Sequence, residues 1–249
     1  MSYLDQLTRA HQGGPRLHKS IEVAQSLDEA YQFQSKLIKL ETQNHNHLKG
    51  YKISLTSKET QDLFDAEEPL YGALTEDSVI GGQLQLEHMS EPLIEVELMF
   101  LVKEDIHPED DEMDIIRKTQ VAPGIEIPDS RYEDWFPHLS LNQIVTDRAV
   151  AGKVVVGEHK HDLTFEQLNS INVSVTLNNE LIATGHSSEV LGNPVYAVKW
   201  LAQQLAKTGE TLQSGMVISS GTFMMPQQLK KGHYNVHFEG VGEVSLEVN

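Results

Sequence analysis

Two glutamates two residues apart, Glu95 and Glu97 in the stretch LIEVELMFLV, interrupt an otherwise apolar run. In an extended chain, residues i and i+2 leave the same face about 7 Å apart, so both carboxylates point one way. That spacing is too wide to share a proton and well suited to gripping one ion. An ExE pair on a strand usually faces water. Here the same face also carries Leu93, Met99 and Leu101, which sets the carboxylates into an apolar surface. An uncompensated buried carboxylate is costly, and a hard divalent cation such as Mg²⁺ or Mn²⁺ is the usual compensation. Such an ion calls for a third acid. Glu126, between Ile125 and Ile127 in VAPGIEIPDSR, is again a carboxylate in an apolar strand.

Other chemistries are excluded or weakly supported. The chain has no cysteine, so thiolate metal sites, disulfides and cysteine nucleophiles are ruled out. It has no GxSxG elbow, P-loop or dinucleotide glycine fingerprint. The pairs His45/His47 and His159/His161 lie in the polar stretches QNHNHLKG and GEHKHDL with no third ligand nearby, and read as solvated loop histidines. A net charge of −18 argues against nucleic-acid and anionic-membrane partners, which both need a basic surface. No apolar run approaches the roughly 20 residues of a membrane span, and the first residues lack a signal-peptide core. The expectation is a soluble, cytoplasmic protein.

The elements that must position these acids follow from periodicity. Ser26 with Glu29 three positions on forms a capping-box pattern, and Leu27, Ala30, Tyr31, Gln34, Leu37 and Ile38 follow at helical spacing. Residues 1–48 are therefore expected to form a small helical lobe, and residues 49–249 a β-rich domain. Beyond Tyr51 the signals turn extended: YKISL, QLQLEH, LIEVELMFLV, GIEI, KVVVG, INVSVTLNNELIATG, MVISSGTF, HYNVHFEG and EVSLEV read as strands. Asn178-Asn179 marks a hairpin turn. Asn193 as cap, Pro194 at the first helical position and a stripe of Val195, Val198, Leu201, Ala202 and Leu205 predict one clear helix. A shorter helix is expected at SKETQDLF.

Taken together, GYKISLTSKETQ, EPLYGALTED, EVELMF, GIEIPDSRYEDW, VLGNPVYAVKWLAQQL and GVGEVSLEV resemble, in order, the 2-keto-4-pentenoate hydratases and 4-oxalocrotonate decarboxylases of the fumarylacetoacetate hydrolase superfamily. The resemblance covers about residue 26 to the end of the chain. It implies an α+β fold: a mixed β-sandwich roll of the fumarylacetoacetate hydrolase C-terminal type with a small N-terminal helical lobe. It also implies a homo-oligomer, and these enzymes can associate with a paralogous hydratase or decarboxylase. One Mg²⁺ or Mn²⁺ would be held by Glu95, Glu97 and Glu126, with a small 2-oxo acid as substrate. The lysine of the family's K-x-x-LTS segment falls on Lys52, which would contact substrate and handle protons. Beside a cation its pKa would fall. The cation would stabilise the negative charge that develops as the substrate gains or loses a proton or loses CO₂.

The chain also departs from the hydratase pattern. Hydratases carry an acid in a PDYG or PDFG motif, where this chain has Pro69-Leu70-Tyr71-Gly72, closer to the PIYG of the decarboxylases. The DSRY form at Asp129 to Tyr132 leans the same way. A DNAS-like segment becomes Asp147-Arg148-Ala149-Val150, and a late GG becomes Ser220-Gly221. Leu70, Arg148, Ser220 and Gly221 are accordingly the expected substrate-side positions. Arg148 would either bind the distal carboxylate of a diacid or lie on the surface. The leading expectation is a metal-dependent lyase of the hydratase type, with a 4-oxalocrotonate-type decarboxylase as the alternative that Leu70 favours. An acylpyruvate hydrolase would need a water-activating base, for which the His45/His47 stretch is the only local candidate. A non-catalytic metal-binding subunit of a complex would also account for the lost polar groups.

Overall fold

The computed structural model describes residues 2–43, 45–159 and 163–249, so His161 lies outside the described residues. Helix α1 (Tyr3–His11) is capped by Ser2, whose side chain accepts from the Asp5 N–H. Helix α2 (Leu27–Gln43) buries Ala30, Gln34, Leu37 and Glu41. Ser26 Oγ accepts from the Glu29 N–H at 3.2 Å, while the Glu29 carboxylate reaches past Ser26 to the Gln25 N–H. The chain then turns extended through β1 (Leu48–Ser54), is interrupted by α3 (Lys58–Phe64), and continues as β2 (Leu70–Thr75), β3 (Val79–Ile80), β4 (Gln83–Leu84) and β5 (Leu93–Val102). Helix α4 (Glu112–Lys118) leads into β6 (Thr119–Ile127), α5 (Leu141–Thr146) and β7 (Lys153–Val156). After α6 (Phe165–Leu168) come the hairpin β8 (Asn172–Leu177) and β9 (Glu180–His186), then α7 (Pro194–Lys207). Strands β10 (Val217–Ser219), β11 (Gln227–Gln228), β12 (Gly232–Phe238) and β13 (Gly242–Val248) complete the chain.

The architecture is α+β, with two sheets. The first runs β2-β1-β10-β5-β6-β7-β3, with β11 added on β5, and the second runs β4-β13-β12-β8-β9. Asn178 and Asn179 close the β8–β9 hairpin at φ 51° and 69°, the left-handed backbone that a tight primed turn requires. Alternation along β5 decides what goes where. Val96, Leu98 and Phe100 enter the main core with Val173 and Val175 of β8, Val236 and Phe238 of β12, and Val195, Val198, Leu201 and Leu205 of α7. Glu95, Glu97 and Met99 therefore face the other side of the sheet.

That other side is covered as well, which is why LIEVELMFLV is apolar nearly throughout. A second core joins Leu7 of α1 and Ala30 and Leu37 of α2 to Leu55, Leu70, Leu93, Tyr132, Trp135, Ile144, Val145 and Ala149. Its central piece is the irregular segment 128–151. There Arg148, Ala149 and Val150 have φ of 56°, 50° and 53°, a left-handed turn of non-glycine residues that costs on the order of 1–3 kcal/mol each.

Buried Asp147 offsets that cost. Its Oδ2 accepts from Ser130 Oγ and the Arg131 N–H, both at 2.8 Å, and its Oδ1 accepts from Arg131 Nε at 2.7 Å. Arg131 also donates to the Ala151 and Asp147 carbonyls at 2.9 and 3.1 Å. His11 reaches in from α1, its Nε2 3.0 Å from Asp147 Oδ1 and its Nδ1 accepting from Arg148 Nη2 at 3.0 Å. Burial would raise the Asp147 pKa, but Arg131 and His11 hold it down at about 2, below the ordinary 3.8. Burial, then Arg131 and Arg148, push His11 well below 6.5.

In both cases the unfolded chain binds protons more readily than the folded one, so stability falls with falling pH. The His11 part is lost first, as pH drops below 6.5, and the Asp147 part between 3.8 and about 2. Urea unfolding across this range should show both losses, and His11→Gln should flatten only the first. Asp147→Ala, which strands Arg131, should cost about 3–5 kcal/mol.

Candidate metal centre

Antiparallel pairing of β5 with β6 places Glu95 directly opposite Glu126, and Glu97 opposite Gly124. Three acids thus converge, with one carboxylate oxygen from each within 4.8 Å of the others. That separation is about twice a metal–oxygen bond of roughly 2.0–2.6 Å. Glu97 and Glu126 are fully buried and Glu95 is half-buried at the edge of a cavity. Lys52, on β1, is buried beside them with Nζ 2.8 Å from Glu126 Oε1. It also donates to Ser54 Oγ at 2.5 Å and to the Ala149 carbonyl at 3.1 Å. Glu97 Oε2 accepts from Ser219 Oγ and, at 2.8 Å, from the Gly221 N–H. Gly221 has φ 113°, and a Cβ there would lie 2.3 Å from Thr56 Oγ1, so the donated N–H depends on glycine.

These groups are electrostatically unresolved by protein alone. Burial pushes the Glu95 pKa up to about 7, with Lys52 lowering it and Glu126 raising it further. Glu97 is raised well above the ordinary range by burial and by repulsion from Glu126 and Glu95, against the Ser219 hydrogen bond. Burial disfavours the Lys52 charge, yet Glu126 and Glu95 outweigh it and hold the lysine above its ordinary value. The lowered pKa expected for Lys52 belongs to the state with a cation beside it, whereas the carboxylates alone shift it upward. Among the described residues, Glu97 Oε1 and Glu126 Oε2 are buried with no hydrogen-bond partner. Buried, unpartnered and mutually repelling oxygens are the donor set a hard divalent cation satisfies, so the residues present fit such an ion.

The other sequence-derived positions fall variously. Leu70 is buried at the start of β2, opposite Ser54. Ser220 lies beside the centre with its N–H on the Leu98 carbonyl and its Oγ buried without a partner among the described residues. Arg148 is buried rather than on the surface, and Nη1 donates to Glu41 at 2.8 Å. Its side chain lines a separate polar depression with His11, Glu41 and Arg131, not the cavity on which Lys52 and Glu95 open. His45 and His47 are exposed, as is His159.

Sequence reasoning missed the Ala149 carbonyl, Ser54, Ser219 and the cavity walls. A run of Ser219-Ser220-Gly221 at a strand end was the available signal for the donors to Glu97. Nothing periodic marks the others. Gly72 explains how the left-handed turn gets close enough to matter. It pairs with Lys52, and a Cβ on it would meet the Arg148 carbonyl oxygen at 1.8 Å.

A profile of the fumarylacetoacetate (FAA) hydrolase C-terminal family matches residues 47–249. The chain belongs to this family. It is 28% identical to the 2-hydroxyhexa-2,4-dienoate hydratase of Comamonas testosteroni, over 94% of this chain and 95% of that protein. It is 29% identical to the 2-oxo-hept-4-ene-1,7-dioate hydratase of Escherichia coli, over 88% of this chain and 86% of that one. Among solved structures it is similar to 4-oxalocrotonate decarboxylase from Pseudomonas putida G7 complexed with magnesium and adipate. That match has a TM-score of 0.88 and 25% identity, covering 99% of this chain and 97% of the other. The family match takes in all three acids and Lys52 but begins after α2.

Two tests follow from the geometry. Glu97→Gln mimics the protonated carboxyl favoured without metal, so it should leave the metal-free Tm unchanged or higher while abolishing the Tm rise on adding Mg²⁺ or Mn²⁺. An intact metal-induced rise in both Glu95→Gln and Glu97→Gln would overturn the ligand assignment. Gly72→Ala should destabilise by about 1–3 kcal/mol through overpacking and weaken metal-dependent activity by lifting the Ala149 carbonyl off Lys52.

Proposed function

We propose that this chain is a divalent-metal-dependent lyase of the 2-keto-4-pentenoate hydratase type, acting on small 2-oxo or 2-hydroxydienoic acids. The observation that carries the reading is the set of three convergent carboxylates, two of them with unpartnered oxygens, opening beside a buried lysine onto a cavity. Glu95, Glu97 and Glu126 would hold the ion, and Mg²⁺ or Mn²⁺ suits an all-oxygen donor set. Bound there, it supplies Lewis-acid stabilisation of negative charge on a chelating 2-oxo acid.

The protein's own groups do the rest. Lys52 stands at the cavity wall with its Nζ 2.8 Å from Glu126 Oε1. In a hydratase, ketonisation moves the enol proton of 2-hydroxypenta-2,4-dienoate to carbon, and water then adds to the remaining conjugated alkene. Lys52 Nζ is placed to stabilise and relay protons in that exchange. Ser54 Oγ and the Ala149 carbonyl fix its direction. Ser219 and Gly221 orient Glu97.

Leu70 favours a second reading, a 4-oxalocrotonate-type decarboxylase, because no acid stands where the hydratase motif carries one; the likeness to the Pseudomonas putida decarboxylase supports it. The names of the relatives include hydratases of a monoacid and of a dioate, so likeness leaves the far end of the substrate open. The reading includes a cytoplasmic homo-oligomer able to associate with a paralogous hydratase or decarboxylase, as the family resemblance implies.

Purified protein with Mg²⁺ or Mn²⁺ should consume 2-hydroxypenta-2,4-dienoate in an ultraviolet assay, with product analysis separating water addition from CO₂ release on 4-oxalocrotonate. Lys52→Met should lower kcat by about 10²–10⁴ while metal-induced thermal stabilisation persists. Absence of turnover on both substrates with metal bound would favour a non-catalytic subunit.

A further inference from the structure

The cavity above Lys52 and Glu95 is walled by Leu55, Phe64, Trp135, Phe136, Ile144 and Val150. Among the described residues lining it, Lys52 is the only cation, and it is committed to Glu126, Ser54 and the Ala149 carbonyl. Of the other polar side chains in the wall, Ser54 Oγ accepts from Lys52 and three more donate elsewhere. Trp135 Nε1 donates to the Glu91 carbonyl at 2.8 Å, Thr60 Oγ1 to the Ser57 carbonyl at 3.0 Å, and Thr222 Oγ1 to the Met224 carbonyl at 2.9 Å. Arg131 and Arg148 belong to another space. Arg131 is bound to Asp147 and Arg148 to Glu41, and both line the separate polar depression. The left-handed turn produces this division, since it presents the Ala149 carbonyl to Lys52 while the Arg148 side chain leaves towards α1 and α2.

A 2-oxo acid held at its carboxylate end through a cation on the three acids would run its remaining carbons past Glu95 and Lys52 into this apolar chamber. A second carboxylate there would be desolvated with no uncommitted cation to meet it and, among the lining side chains described, only the Ser54 hydroxyl beside Lys52 left to donate, and such burial is strongly disfavoured. We infer that the site selects monocarboxylic 2-oxo acids with an apolar or alkenyl tail and discriminates against dioic acids. The specificity is set by the wall from Leu55 and Phe64 across to Ile144 and Val150. This rests on the function proposed above for the same site, and deepens it.

Binding of unreactive acids separates the two claims. The full-length protein, with Mg²⁺ present, is titrated calorimetrically with 2-oxohexanoate and with 2-oxohexanedioate, which differ only in the terminal carboxylate. The monoacid should bind about 10- to 100-fold more tightly, the factor expected for an unpaired polar group buried in a protein. Equal or tighter binding of the dioate, or no binding of either acid, overturns the inference. A preference for the monoacid without turnover of any dienoate upholds the inference and sinks the lyase reading alone. Phe64 is half-buried at the end of α3, where a longer side chain can be accommodated. Phe64→Arg, checked for an unchanged melting curve, should raise affinity for the dioate and lower that for the monoacid, whose tail packs on the same wall. Unchanged dioate affinity in that variant counts against this cavity as the seat of the tail.

Discussion

Three carboxylates in a space that one lysine cannot neutralise is the constraint around which the molecule is organised. Glu95 and Glu126 face each other across two hydrogen-bonded strands, an arrangement that like charges oppose, and Glu97 stands one step along on the same face. Lys52 and the donors to Glu97 relieve the conflict only in part. The second core instead seals the face that carries the acids, which removes water and sharpens the repulsion. A protein that needed only stability would put aliphatic residues at these positions, as it does at Val96, Leu98 and Phe100 on the reverse side. Buried polar groups left unsatisfied in this way are expected where stability is set aside for a ligand.

The supporting groups divide the labour of holding that arrangement. Ser219 and Gly221 satisfy one oxygen of Glu97 and leave the other bare. Lys52 takes one oxygen of Glu126 and is itself steered by Ser54 and the Ala149 carbonyl. The turn that offers this carbonyl is strained, and Asp147 with Arg131 keeps it in place. Stability is thus concentrated in one buried ionic network so that another can remain incomplete.

How much of this was legible in the sequence depends on the kind of order involved. The direction of Glu95 and Glu97 followed from the two-residue period of a strand, and their unusual apolar surroundings could be read directly. That Glu126 belongs with them was visible as a pattern, but its register against Glu95 is a property of pairing between distant segments. Helix α7 announced itself through Asn193, Pro194 and a regular stripe. Strand β2 was not anticipated, since its short run between Pro69 and the turn at Glu76 is broken by Gly72, through which the strand continues. Segment 128–151 has no regular element beyond the short α5 and one further helical turn, so its role as cavity wall was invisible. Arg148 shows the cost of that. Its residue type suggested either an anion contact or a surface position, whereas three successive left-handed residues lead its buried side chain to Glu41 and His11, away from Lys52.

The second core has a bearing on where this protein can be divided. The family match opens at residue 47, which is a boundary of shared sequence and not of packing. Leu7, Ala30 and Leu37 lie in the same apolar cluster as Trp135 and Ile144 of the cavity wall, and Gln34 of α2 donates to the Val145 carbonyl at 2.9 Å while accepting from the Ala73 N–H at 3.0 Å. A chain severed at that boundary would expose the outer side of its own cavity wall to water. The first two helices are in this sense masonry for the site, although no atom of theirs lines the chamber itself.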